Sequence, residues 1–179
     1  MLKKILIGIA VIIIVFLVVV ALQPANFRVT RSATIAAPPE AVFPHVNELK
    51  KWEAWSPWAK LDPNAKNSFE GPAAGKGAAM SWAGNNDVGE GRMTITESRP
   101  TELVHFHLEF FQPMAGTSEA EFTFKLEGNQ TAVTWTMTGR NNFIAKAMCL
   151  FMNMDTMVGG QFEKGLAQMK SLAEAPAKQ

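Results

Sequence analysis

From Ser68 to Gly139 the chain alternates apolar and polar residues almost one for one, and that period of two limits the fold more than any other feature. In a strand successive side chains point to opposite faces, so each segment sorts itself into an inner and an outer set. "KGAAMSWAG" reads as a strand and "NNDVGEG" as the turn after it. "RMTITESR" puts Met93 and Ile95 on one face and Arg92, Thr94 and Thr96 on the other. "ELVHFHLEFF" puts Val104, Phe106, Leu108 and Phe110 against His105, His107 and Glu109. "SEAEFTFKLE" puts Ala120, Phe122, Phe124 and Leu126 against Glu119, Glu121, Thr123 and Lys125. "TAVTWTMTG" puts Val133, Trp135 and Met137 against three threonines. Short Gly, Asn and Pro turns separate the segments, as in an antiparallel meander with one wet face.

What flanks this block decides its cover. "FRVTRSATIAA" alternates as well and is rich in β-branched residues, so it reads as an earlier strand. "PPEAVFPHVNELKKW" carries an apolar stripe at Ala41, Val42, Val46 and Leu49, with Pro44 keeping its helix short or broken. "LDPNAKN" reads as a turn. After Gly139 the period becomes helical. "NNFIAKAMCLFMNMD" and "TMVGGQFEKGLAQMKSLAEA" join around Asp155, with Thr156 as the expected cap. Val158, Phe162, Leu166, Met169 and Leu172 give the second of these one apolar stripe. The expectation is an α+β architecture, about six strands after the short helices, with an amphipathic helix over the sheet's apolar face.

"ILIGIAVIIIVFLVVVAL", Ile5 to Leu22, is 18 residues without a charge. As a helix it spans roughly 27 Å, close to the hydrocarbon thickness of a bilayer. A cleaved signal peptide has a shorter apolar run and a clear small-residue cleavage site; here the run is long and "VVVALQPANF" offers only a poor site at Ala21. The segment is therefore expected to stay as a membrane anchor. Lys3 and Lys4 before it favour a cytoplasmic N-terminus, with the domain on the extracytoplasmic side, the periplasm of a Gram-negative bacterium. Arg28 and Arg31 just after it pull against that orientation.

Without Lys3 and Lys4 the chain has 15 basic and 16 acidic residues, and no lysine-rich run, so nucleic acid is not an expected partner. The single cysteine, Cys149 in "AMCLFM", excludes an internal disulfide and reads as a small buried hydrophobe. His105, His107 and Glu109 share one strand face, a set that can bind zinc, but the face is the outer one, and no metal or other cofactor is expected. His45 has no evident partner. No nucleophile motif or phosphate loop is present, and the inward positions carry no ionisable group for acid–base work. Glu90, Arg92 and Arg140 lie near strand ends, where a solvated surface charge is the simpler account. Met80, Met93 and Met137 on the inner strand face suit a deformable apolar wall, as do Met148, Met152, Met154, Met157 and Met169 in the helices.

Taken together, "VTRSATIAAPPEAVFPHV", "WSPW" with "DP" three residues on, "GEGRMTITESRP", "TAVTWTMTG" and "MDTMVGGQFEKGLAQMK" resemble the START/birch-pollen-allergen helix-grip superfamily, in its polyketide cyclase/dehydrase-type (SRPBCC) branch. The resemblance covers about residues 27 to 173. It implies a curved antiparallel sheet wrapped around a long C-terminal helix, with a cavity between them for an apolar ligand. Joined to the inward positions, it implies a wall of Met80, Trp82, Met93, Ile95, Phe106, Leu108 and Phe110 on the earlier strands. Phe122, Phe124, Trp135 and Met137 extend it across the later strands, and Met157, Phe162, Leu166 and Met169 close it from the helix. Trp52, Trp55 and Trp58, three of the chain's five tryptophans, are expected to cap the end of that cavity, with Trp55 and Trp58 touching the ligand.

The expected segments are a transmembrane anchor at 1–23, a linker at 24–26, a helix-grip domain at 27–174 and a tail at 175–179. The expected function is a membrane-anchored binding or carrier protein for a hydrophobic small molecule or lipid. A cyclase, dehydratase or hydrolase using the same cavity stands second. A module for a protein partner, with the "WSPW" region as its surface, stands third.

Overall fold

In the computed structural model, which describes residues 1–175, one antiparallel sheet of seven strands forms the body of the domain. The strands are β1 (Asn26–Ile35), β2 (Lys66–Glu70), β3 (Ala79–Ala83), β4 (Glu90–Arg99), β5 (Leu103–Gln112), β6 (Gly116–Glu127) and β7 (Gln130–Arg140), in the spatial order β1-β7-β6-β5-β4-β3-β2. Consecutive strands from β2 to β7 are neighbours, and β1 closes the sheet by pairing with β7. Polar edge strand β2, "KNSFE", begins inside what reads as a turn; its lack of an apolar alternation hid it. The tail expected after Ala175 lies outside the described residues.

The helices are α1 (Leu2–Leu22), α2 (Pro39–Asn47), α3 (Trp52–Trp55), α4 (Phe143–Cys149) and α5 (Met154–Ala173). Helix α1 is long and apolar enough to cross a membrane, and it is exposed along its length except at Val20. Pro39 starts α2 in the first turn, where its missing N–H costs nothing. The cap of α5 is Asn153, whose side chain accepts the Thr156 N–H at 3.2 Å. Thr156, the expected cap, is the donor instead, because the cap lies three residues earlier than the sequence pattern suggests.

Alternation places the faces correctly along most strands. Met93, Ile95, Val104, Phe106, Phe122, Phe124, Val133 and Trp135 are all buried on the inner face. Leu126 was expected with them and is 58% exposed, since it sits next to the β6–β7 turn at the sheet's end, left uncovered by the described residues. Helix α5 packs mainly against β1, with its middle over α3 and the turn at Pro57–Lys60. Gly165 permits that approach: a Cβ there would lie 3.1 Å from both Pro57 and Trp135.

Candidate functional site: the inner face of the sheet

Register divides the inner face into cross-strand rows. One row runs Phe27, Gly139, Ser118, Leu108, Met93, Met80 and Phe69. A shorter row of Phe110, Gly91 and Trp82 lies beyond it, at the end of the sheet where α1 joins β1. Further from α1 come rows containing Met137, Ala120 and Phe106, then Trp135, Phe122 and Val104.

The rows far from α1 are filled. Trp135 stacks on Phe162 of α5 at 3.9 Å between ring centroids and on Phe122 at 4.6 Å. Trp52 and Trp55 insert against the same rings, with Trp52 edge-on to Phe106 at 5.4 Å and Trp55 edge-on to Trp135 at 5.7 Å. Trp55 is wholly buried and Trp52 nearly so, placing them in the centre of the grip and not as a cap at its end. The physical reason lies in helix α2. Proline inside it and the bend after it leave carbonyls at its C-terminal end without helical partners. The Trp52 indole N–H donates to the Val46 carbonyl at 2.9 Å, and the Trp55 N–H to the His45 carbonyl at 2.8 Å. Each indole thus closes a helix end with its polar edge and fills the core with its rings. Trp135 differs: its indole N–H is buried with no acceptor among the described residues.

The apolar side chains of the two rows nearest α1 are partly open, except at buried Met93, and the opening extends to Met137 in the next row. Phe27, Met80, Trp82, Leu108, Phe110 and Met137 are each only partly buried. Trp82 lies edge-on to Phe110 at 5.9 Å and folds down over Gly91, where any Cβ would collide with its ring. Trp58 is half-buried against the filled zone, with its ring edge-on to Trp135 at 5.8 Å and to Phe162 at 6.3 Å. Beside Phe27, an open concavity of about 460 Å³ lies between Gln23–Pro24, Asn141 and the segment Cys149–Asp155. Of the residues read as apolar wall from the sequence, Met152 and Met154 line it, and none of the strand positions does.

Of the seventeen expected wall residues, the structure divides sixteen between these zones. Trp55, Met93, Ile95, Phe106, Phe122, Phe124, Trp135, Phe162, Leu166 and Met169 belong to the filled core. Trp58, Met80, Trp82, Leu108 and Met137 pack at its open margin, and Phe110 lies against Trp82 beyond them. Met157 stands apart, 48% exposed on α5. Met148 and Met152, noted for the same wall, are also surface residues.

Arg31 is the charge that strand reading missed. It faces inward from β1 and lies against Gly159 of α5, where a Cβ would meet its guanidinium. Its Nε donates to Glu163 at 2.6 Å, and its other nitrogens donate to the Asp155 carboxylate at 2.8 and 3.0 Å. These bonds hold the Asp155 carboxyl below its usual range and raise the guanidinium above its own. The visible signal was the Gly159–Gly160 pair inside a helix, a place where something must approach closely. Outside the sheet, His107 Nδ1 lies 2.6 Å from Glu119, and His105 bonds Thr96 at 2.9 Å. Among the described residues no group of three or more His, Cys, Asp or Glu side chains is placed to hold a metal ion. Burial of His45 lowers its pKa.

Comparison with solved structures places the fold. The di-domain ARO/CYC BexL superposes with a TM-score of 0.62 at 16% identity, over 88% of this chain and 53% of that one. The chain thus spans about half of that two-domain protein. Protein CV1439 from Chromobacterium violaceum gives 0.60 at 15% identity, over 86% and 100%. Ara h 8.0201 gives 0.56 at 12%, over 83% and 97%. At these identities the likeness is one of fold, the helix-grip fold. No curated protein matches the chain. The family model described as polyketide cyclase / dehydrase and lipid transport matches residues 26–174, and the chain belongs to that family.

Proposed function

We propose that the protein binds a hydrophobic small molecule or lipid at the open rows of its inner face. In this reading residues 1–23 anchor the chain in a membrane, 24–26 link, and 27–174 form the binding domain. The observation that carries it is the run of half-buried apolar side chains at the end of the sheet next to α1: Phe27, Met80, Trp82, Leu108, Phe110 and Met137. An apolar ligand laid there gains its affinity by covering surface that the protein leaves wet. Family membership supports an apolar ligand as the class. The three rows nearest α1 carry no ionisable side chain, which favours binding over acid–base catalysis at that place. The buried Trp135 N–H has no acceptor among the described residues, so a ligand that reached it with one carbonyl or hydroxyl would find a donor there. The lysines before α1 support a cytoplasmic N-terminus, with the domain on the other side of the membrane.

The test is native mass spectrometry of the full-length protein released from lipid nanodiscs, with oleate added as the probe. One oleate per chain is expected. Phe110→Ala and Trp82→Ala should each lower its occupancy by roughly fivefold, about 1 kcal/mol of lost apolar contact. No oleate adduct, or occupancy that neither substitution changes, would refute the reading.

A further inference from the structure

Most of the domain's large exposed apolar side chains gather at one end. Helix α4 and the residues after it present Phe143, Ile144, Met148 and Phe151 outward, exposed by 48, 63, 41 and 80%. Their spacing gives one stripe along the turns, so this helix is amphipathic the wrong way round for a surface helix in water. From Asn141 to Met154 the only charge is Lys146. Phe111, at the end of β5, and Met114, in the β5–β6 turn, are exposed by 53 and 39%. Register places that turn at the same end of the sheet, since β6 begins beyond the last residue paired with β7 and β7 ends where β1 begins.

That end is also where α1 leaves the domain, and the two are held together. Val20 in the last turn of α1 is fully buried. Lys146 of α4 donates to the Ala21 carbonyl at 3.3 Å, and the Asn141 N–H donates to the Ala25 carbonyl at 2.7 Å. Only Gln23, Pro24 and Ala25 separate α1 from β1. Three residues, even extended, reach roughly 10 Å. A domain on so short a tether, with α1 docked against α4, stays at the surface that α1 enters.

We propose that this apolar end of the domain, with α4 as its in-plane helix, is seated in the interfacial layer of the same bilayer that α1 spans. The proposal rests on the reading of α1 as an anchor. The occupant of the patch is a lipid surface, because the patch is continuous with the end of the spanning helix. Phe143, Ile144, Met148 and Phe151 enter the boundary between headgroups and acyl chains, and Lys146 sits at headgroup level where it meets anionic lipid. The open rows of the inner face then look toward the bilayer, so a lipid-soluble ligand reaches them without crossing water.

Spin labels test this on the full-length chain in vesicles of phosphatidylethanolamine and phosphatidylglycerol. In a Cys149→Ala background a nitroxide is attached at Ile144→Cys, Phe151→Cys, Leu126→Cys or Val11→Cys, one at a time. Collision with oxygen, which concentrates in lipid, is compared with collision with a water-soluble nickel chelate. The ratio at 144 and 151 should exceed that at 126, in the hairpin at the opposite end of the sheet, by roughly fivefold and approach that at 11. Ratios at 144 and 151 equal to that at 126, with 11 in lipid, would overturn the docking and leave the anchor standing. An aqueous ratio at 11 would overturn the anchor, and the docking with it. Labels at 144 and 151 shielded from both reagents would mean that a protein covers the patch, which also refutes the proposal.

Discussion

The two ends of the sheet's inner face are built from similar residues and treated differently. Far from α1, Phe106, Phe122, Trp135 and Phe162 are sealed under α2, α3 and α5, with Trp55 driven into their midst. Near α1, Trp82, Phe110, Leu108 and Met80 carry as much apolar surface, yet stay partly open. The difference teaches that residue type does not decide which part of a helix-grip interior becomes core. The cover decides: α5 lies on β1 and the tryptophan segment and leaves β3–β5 bare at one end.

Replacing one tryptophan in each zone gives the largest contrast. Trp55→Ala should cost about 3–5 kcal/mol, through the cavity it leaves and the loss of the bond to the His45 carbonyl. Trp82→Ala should cost roughly 1–2 kcal/mol, since its ring is already partly exposed. Denaturant midpoints of the two variants measure the contrast. Equal losses would erase the division between sealed and open ends.

A smaller change probes the open end from inside. Gly91 is the place where Trp82 lies against the sheet, and a Cβ there would meet both that ring and the Glu109 carbonyl oxygen. Gly91→Ala should therefore cost about 1–3 kcal/mol and lift Trp82 toward solvent, red-shifting its fluorescence. Against the wild type, an unchanged spectrum and midpoint would mean that Trp82 has room to spare.

How much of this was legible follows from what each feature depends on. Strand faces depend on local alternation, so Met93, Phe106, Phe122 and Trp135 could be placed inward from the sequence. The gradient from sealed to open along that face depends on where α5 crosses the sheet, a tertiary fact no single segment carries. The tryptophan segment looked like a cap because its spacing gives no clean helical stripe. Its burial follows from two indole bonds to carbonyls of α2, a pairing between segments. Met148 and Met152 were read as apolar wall and are exposed, because methionine marks apolar surroundings without saying whether these are core or lipid. Arg31 stayed hidden because charge on an alternating strand reads as outward, and its pairing lies more than a hundred residues away.

That pairing gives the smallest effect, and it acts on the sealed end alone. Arg31 ties β1 to α5 through Asp155 and Glu163 at the exposed edge of the core. The hydrogen bonds from Arg31 lower the pKa of Asp155 in the folded chain. A carboxylate depressed in this way adds stability above its unfolded pKa, about 3.9, and loses it as pH falls through the folded value. Asp155→Asn should thus lower Tm modestly at pH 6, less so at high salt, because the pair is open to solvent. Below about pH 4 the wild type gives up the same contribution, so the two Tm curves should converge. A gap that stayed constant from pH 6 to pH 2.5 would mean that Asp155 acts by packing and not by charge. The Trp82→Ala variant should show the same pH dependence as the wild type, because the row that holds Trp82, Gly91 and Phe110 carries no titrating side chain.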